Sequence, residues 1–202
     1  AQSACEMEIG MKILLINGSP KGDRSNTLKL SKAFLEGILE IDKDAEIRQM
    51  NLSEKKIAPC RGCFACWNKT PGKCVMTDDM REGIEGELWA DLMIWSFPLY
   101  YFSVPGLLKN FIDRQLPMNL PFMEEQEGQI GSGGHPSRYD MSGKRHLLIS
   151  TCGFYTAKNN YDSVTKLFDH ACGAGQYESI FCGQGELSLI HISEPTRHAQ
   201  IS

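Results

Sequence analysis

The stretch Met11 to Ile41, "MKILLINGSPKGDRSNTLKLSKAFLEGILEI", decides how the rest of the chain is read. "MKILLING" (11–18) carries the apolar run Ile13 to Ile16 and ends in Asn-Gly, the pattern of a buried strand that runs into a turn. From 27 to 41 the apolar side chains Leu28, Leu30, Phe34, Leu35, Ile38 and Leu39 return at helical spacing, which predicts an amphipathic helix. Between them lies "NGSPKGDRSNT" (17–27), a loop of small and hydroxylic residues. Strand, loop, helix is the opening of a crossover unit.

The same alternation continues outward. "AEIRQMNL" (45–52), "ADLMIWSFPLY" (90–100), "RHLLIST" (145–151) and "YESIFCG" (177–183) read as further strands, and helices are expected at 79–88, 105–116 and 161–173. Central strands that are apolar without alternation, with helices between them, predict a parallel sheet covered on both faces: α/β, doubly wound, in three layers. The connection 117–143, rich in Gly, Pro and Met, is long enough to be a lid, an interface or a disordered segment.

Composition limits what such a sheet does. The chain has 202 residues, 42% hydrophobic and 23% charged, ordinary for one globular domain. A formal net charge of -4, with scattered Lys and Arg, speaks against a nucleic-acid or anionic-membrane partner. No apolar run approaches the roughly 20 residues of a membrane span, and "AQSACEMEIG" (1–10) lacks the apolar core of a signal peptide, so the expected compartment is the cytoplasm. Residues 1–10 are expected to be either non-native or an upstream extension, and 11–186 the folded α/β domain. The tail has a different look: "LSLIHISEPTR" (187–197) resembles the conceptual translation of a transposase-type sequencing adapter, so 187–202 are expected to be foreign, and His191 and His198 are not read as ligands.

In an open parallel sheet the ligand sits outside the carboxyl ends of the strands. The loop after the first strand has neither a GxGxxG nor a GxxxxGK[ST] pattern, which argues against a tightly held dinucleotide or triphosphate hydrolysis. Ser19, Ser25, Asn26 and Thr27 offer hydroxyls, an amide and the positive end of a helix to a phosphate; equally, Ser25 to Thr27 are good helix caps. After the third strand, "FPLYYFSVPGLLKNFIDR" (97–114) brackets an aromatic stretch with two prolines, a rigid turn for a flat ligand or a set of packing residues. After the fourth, "TCGF" (151–154) places a glycine where backbone can approach a ligand closely.

"CRGCFACWNKTPGKC" (60–74) holds four of the chain's eight cysteines. In a reducing compartment such spacing points to metal or redox work before a structural disulfide. Cys60, Cys63, Cys66 and Cys74 lack the two well-separated pairs of a common structural zinc site and suit a [4Fe-4S] cluster; the other reading is a packed loop anchored by Trp67 with free thiols. Cys5, Cys172 and Cys182 stand apart and are read as ordinary thiols.

Taken in order, "GSPKGDRSNT", the CxxCxxC segment ending in "TDDM", "PLYYFSVPGLLKNFIDR" and "TCGF" resemble the NADPH-dependent FMN reductase-like branch of the flavodoxin-like superfamily, including the iron-sulfur flavoproteins. The resemblance covers about residues 11–186. It implies a five-stranded sheet of order 2-1-3-4-5, FMN as cofactor, NAD(P)H as transient substrate and a homo-oligomer. It also implies a small acceptor (quinone, flavin or nitro compound) or, in the alternative, an FMN/[4Fe-4S] electron carrier between protein partners. By the same resemblance Ser19, Ser25, Asn26 and Thr27 hold the FMN phosphate. Pro98, Leu99, Tyr100, Tyr101, Phe102 and Ser103 border the isoalloxazine, with Cys152 and Gly153 on its other side. Lys109, Asp113 and Arg114 are read as structural ion-pair residues, and no side chain is assigned general acid or base work. The helix that should follow the fifth strand is expected to be missing.

Overall fold

A computed structural model describes residues 10–125 and 133–185. Its five strands are β1 (Lys12–Asn17), β2 (Glu46–Asn51), β3 (Leu92–Pro98), β4 (Arg145–Thr151) and β5 (Tyr177–Cys182). They form one sheet in the order β2-β1-β3-β4-β5 with every neighbouring pair parallel, the expected topology. The helices are α1 (Asn26–Ile41), α2 (Ala65–Asn68), α3 (Met80–Trp89), α4 (Gly106–Asp113) and α5 (Asp162–Cys172).

Alternate residues of the central strands feed two cores. Ile13, Leu15, Ile94, Leu147 and Ile149 pack with Leu28 and Leu35 of α1 on one face. Leu14, Ile16, Met93, Trp95 and Leu148 pack with Met80 and Ile84 of α3, Leu108 and Phe111 of α4, and Val164 and Phe168 of α5 on the other. A sheet buried on both faces explains why these strands read as continuous apolar runs. The expected loss of the last helix, the extension 1–10 save for Gly10 and the tail 187–202 fall outside the described residues.

The elements differ from expectation mainly at their ends. The strand expected over 90–100 is β3, Leu92–Pro98, because Ala90 still caps α3, donating its N–H to Gly86 O at 3.1 Å, and Leu99 and Tyr100 turn away after Pro98. The helix expected over 105–116 ends at Asp113, and a separate 3-10 turn, Leu116–Met118, carries Pro117, which has no N–H with which to continue a helix. The single turn α2, inside the cysteine segment, is too short to leave a periodic signal. In the long connection, Asn119 pairs with Ser137 and Glu124 with Gly134, and the His135 ring lies 4.7 Å from that of Trp67. Its described part is therefore a cover for the cysteine segment.

Candidate functional site: the carboxyl edge of the sheet and the cysteine pocket

The loop after β1 is held by buried amides. Asn17, fully buried, donates its Nδ2 to Gly22 O and to Asn51 Oδ1, both at 3.0 Å, which ties the loop to the end of β2. Gly18 lets the loop lie on α4: a Cβ there would stand 2.9 Å from Leu108 Cβ. Ser25 is the N-cap of α1, its hydroxyl accepting from Leu28 N at 3.3 Å, so the capping role is filled. Ser19 Oγ accepts from Lys21 N at 3.2 Å. Thr27 Oγ1 pairs with Thr151 Oγ1 at 2.6 Å, and Asn26 Nδ2 donates to Gly185 O at 3.2 Å, joining this loop to the ends of β4 and β5. The backbone N–H groups of Asn26 and Thr27, in the first turn of α1, have no acceptor among the described residues.

Beyond β3 the chain makes a tight turn in which Tyr100 N donates to Ser103 O and Ser103 N to Tyr100 O, each at 2.9 Å. The two central residues, Tyr101 (φ 48) and Phe102 (φ 60), are both left-handed, a conformation usually left to Gly and Asn and costing non-glycine residues about 1–3 kcal/mol each. Ser163, in the first turn of α5, donates to Phe102 O and clamps the turn. The Phe102 ring stacks on Phe154 of the loop after β4, with centroids 5.4 Å apart and planes 19° apart. Tyr101 is 98% exposed, so the strained turn presents aromatic surface to solvent. Pro98 and Leu99 lie beside Thr151, Leu99 N donating to its carbonyl at 2.8 Å. Cys152 is buried, its thiol directed to Thr156 O, while Gly153 is exposed and a Cβ added there would meet nothing within 4 Å.

The phosphate-type loop, the turn 98–103 and Cys152–Gly153 thus gather along the carboxyl ends of β1, β3 and β4. They include the β1/β3 junction where the strand order reverses, the place such sheets bind ligands. Two first-turn N–H groups without an acceptor among the described residues, a hydroxyl-lined loop, exposed aromatic rings and an open glycine fit the phosphate and flat ring of a flavin nucleotide.

The cysteine segment leaves the carboxyl end of β2. Gly62 (φ 61) and Phe64 (φ 52) curl it, and Cys60, Cys63, Cys66 and Cys74 all line one shallow, solvent-open pocket, shared with Arg114, Leu116 and Pro117. Cys66 is buried, Cys60 and Cys63 are exposed, and none of the described thiols is in a disulfide. Burial, and then the neighbouring Cys74, push the Cys66 thiol up. Among the described residues no three His, Cys, Asp or Glu side chains already surround a single ion position. A tetrahedral zinc gathers its sulfurs about one point, whereas a [4Fe-4S] cubane takes each thiolate at a different corner; what the structure shows is that the four cysteines line one pocket. Trp67 anchors the segment, as in the packed-loop reading of it, donating its Nε1–H to Leu116 O at 3.0 Å and packing between Phe64 and His135.

Arg114 is the residue that sequence reasoning undervalued. Lys109 and Asp113 form the surface pair expected of them, at 2.6 Å. Arg114 instead turns inward, 1% exposed, to line the cysteine pocket. Its Nη1 donates to Asp78 Oδ2 and Ala58 O, both at 2.7 Å, and its Nη2 to Asp78 Oδ1 at 2.8 Å and Cys74 Sγ at 3.4 Å. Burial alone would raise the Asp78 carboxyl, but Arg114 and the N–H groups of Ala58 and Met80 hold it below its usual range. The signal was present in "TDDM" and "FIDR", but only folding brings the two together.

The curated relatives carry both themes. An iron-sulfur flavoprotein of Archaeoglobus fulgidus is 38% identical over 104 residues, 52% of this chain and 48% of that protein. An FMN-dependent NAD(P)H:quinone oxidoreductase of Pseudomonas aeruginosa is 28% identical over 149 residues, 70% of this chain and 68% of its own. The chain spans about half the length of the curated iron-sulfur flavoproteins it matches. Among solved structures, an FMN-dependent NADH-azoreductase of Bacillus anthracis in complex with FMN superposes with a TM-score of 0.58 at 22% identity, over 86% of this chain and 87% of that one. At that identity the likeness is one of fold. The family described as flavodoxin-like fold matches residues 11–201, and with the parallel β2-β1-β3-β4-β5 sheet this means that the chain belongs to the flavodoxin-like fold family.

Proposed function

We propose that this protein is an FMN-dependent oxidoreductase that moves electrons from NAD(P)H to a small acceptor such as a quinone, a flavin or a nitro compound. The observation that carries the reading is the meeting of three loops at one sheet edge: the open N-terminus of α1, the strained Tyr100–Ser103 turn and the open surface at Gly153. The quinone oxidoreductase relative in Pseudomonas aeruginosa supports it. Ser19, Ser25, Asn26 and Thr27 would hold the FMN phosphate, chiefly through the free N–H groups of Asn26 and Thr27 and the positive end of α1. Pro98 to Ser103 would border one side of the ring, and the backbone of Cys152 and Gly153 the other. Bound FMN supplies the hydride and single-electron chemistry that side chains lack. The chain's own residues would position that group: the Thr27–Thr151 pair and the Asn26–Gly185 bond tie the phosphate loop to the ends of β4 and β5, and the Phe102–Phe154 stack ties the Tyr100–Ser103 turn to the loop after β4. No residue is assigned proton transfer.

A second reading has its own observation, the four cysteines on one pocket, and the iron-sulfur flavoprotein relatives support it. In it Cys60, Cys63, Cys66 and Cys74 hold a [4Fe-4S] cluster and the protein carries electrons between protein partners. Both readings take the protein to be a cytoplasmic homo-oligomer, the exposed rings of Tyr100, Tyr101, Phe154 and Tyr155 being the surface that association would cover. No helix among the described residues is long and apolar enough to cross a membrane.

The test is direct. Purified protein should be yellow, release FMN on denaturation and oxidise NAD(P)H with an artificial acceptor. Colourless protein that does not take up added FMN overturns both readings, and bound FMN without NAD(P)H turnover selects the carrier.

A further inference from the structure

Arg114 has five N–H donors, and the fold uses four of them: two on Nη1 for Asp78 Oδ2 and Ala58 O, two on Nη2 for Asp78 Oδ1 and Cys74 Sγ. The fifth, on Nε, is buried with no partner among the described residues. An unsatisfied buried donor is costly, and this one belongs to a side chain lining the pocket that all four cysteines share. Asp78 accepts from both ends of the guanidinium fork, which fixes its plane and cancels much of its charge at a distance. What Arg114 brings to the pocket is therefore a set of donors held in fixed direction more than a net field. Arg61 also lines the pocket but is exposed, where solvent screens it and no hydrogen bond or ion pair among the described residues fixes its orientation.

We propose that Arg114 is the positioning residue of the cysteine pocket: its Nη2–H orients Cys74 Sγ, and its unpartnered Nε–H serves the sulfur of an iron-sulfur group held by Cys60, Cys63, Cys66 and Cys74. The inference rests on the cluster reading of that pocket. A donor to sulfur stabilises the more negative, reduced state, so Arg114 raises the reduction potential of the group and slows its loss.

The experiment uses the full chain, reconstituted anaerobically with iron and sulfide, with FMN content as the control for folding. Arg114→Gln should lose iron about 10–100-fold more readily than the parent and shift the midpoint potential of the cluster to more negative values, while Arg61→Gln changes neither. Because Arg114→Gln also breaks a buried ion pair, a second measurement needs no change at position 114. In protein carrying Arg61→Lys and 15N-labelled arginine, pulsed EPR of the dithionite-reduced cluster should find a coupled 15N nucleus. Absence of that coupling, or an Arg114→Gln protein with parental potential and iron retention, overturns the inference while leaving the cluster in place. Failure of the parent to bind any iron overturns the cluster reading and this inference with it.

Discussion

Glu87, in α3, is a carboxyl with 3% of its surface exposed, accepting from Gln115 Nε2 at 2.6 Å, and burial pushes its pKa up to about 8. His146 is the opposite case: burial, and then Lys144, lower it to about 4, so it stays neutral while accepting from Trp95 Nε1. The signs follow from linkage. A carboxyl raised in the fold contributes stability that is complete below its unfolded value near 4.5 and is lost as pH rises toward 8. A histidine lowered in the fold works the other way, costing stability as pH falls from 6.5 toward 4. The two oppose each other in mildly acid solution, and above 6.5 Glu87 acts alone. We expect the parent to lose up to about 1.4 kcal/mol per pH unit between pH 6.5 and 8 from this group, and Glu87→Gln to flatten that slope. Urea unfolding at both pH values would read it; equal slopes in parent and variant would mean that Glu87 ionises freely in the fold.

At the scale of elements, two glycines in helices have opposite reasons to be there. Gly83 in α3 faces Phe111 of α4, fully buried, and an added Cβ would stand 2.4 Å from Phe111 Cε2. Alanine is the better helix former by up to about 1 kcal/mol, but the overpacking costs about 1–3 kcal/mol, so Gly83→Ala should destabilise the protein. Gly37 in α1 is exposed with nothing within 4 Å of its would-be Cβ, and there Gly37→Ala should add about 0.5–1 kcal/mol. Thermal melts of the pair separate helix propensity from interhelical contact: a destabilised Gly37→Ala would show α1 to have an unseen partner on that face. The Tyr100–Ser103 turn belongs to this scale too. Its two left-handed aromatic residues are held by the Ser163 bond and the Phe102–Phe154 stack rather than by their own preference.

Over the whole molecule, the two candidate centres hang from different strands. The flavin-type loops follow β1, β3 and β4, and the cysteine segment follows β2, crossing to α4 through Arg114. The separate attachment predicts that replacing Cys60, Cys63 or Cys74 singly by Ala removes iron from reconstituted protein yet leaves about one FMN per chain. Loss of FMN together with iron would mean that the cysteine segment is part of the flavin site. Cys66, buried in the single turn α2, is the one whose replacement also tests folding.

The sequence by itself determined the class, the strands and the edge at which to look. Runs such as "MKILLI" and "LMIWSF" must be buried on both sides, helices must lie between them, and a parallel sheet places the loop after each strand at one end. The sequence also grouped the four cysteines, but it left Ser25 open between helix cap and phosphate ligand and Trp67 as the anchor of one of two readings of the cysteine segment. Tertiary structure alone decided three other things. Asn17 and Asn51 meet because β1 and β2 pair in register, although 34 residues separate them. The left-handed turn at Tyr101 and Phe102 is imposed from outside, since neither residue favours that conformation. Arg114 reaches Cys74 and Asp78 across 40 and 36 residues, a pairing that depends on where the end of α4 packs and that no local periodicity encodes.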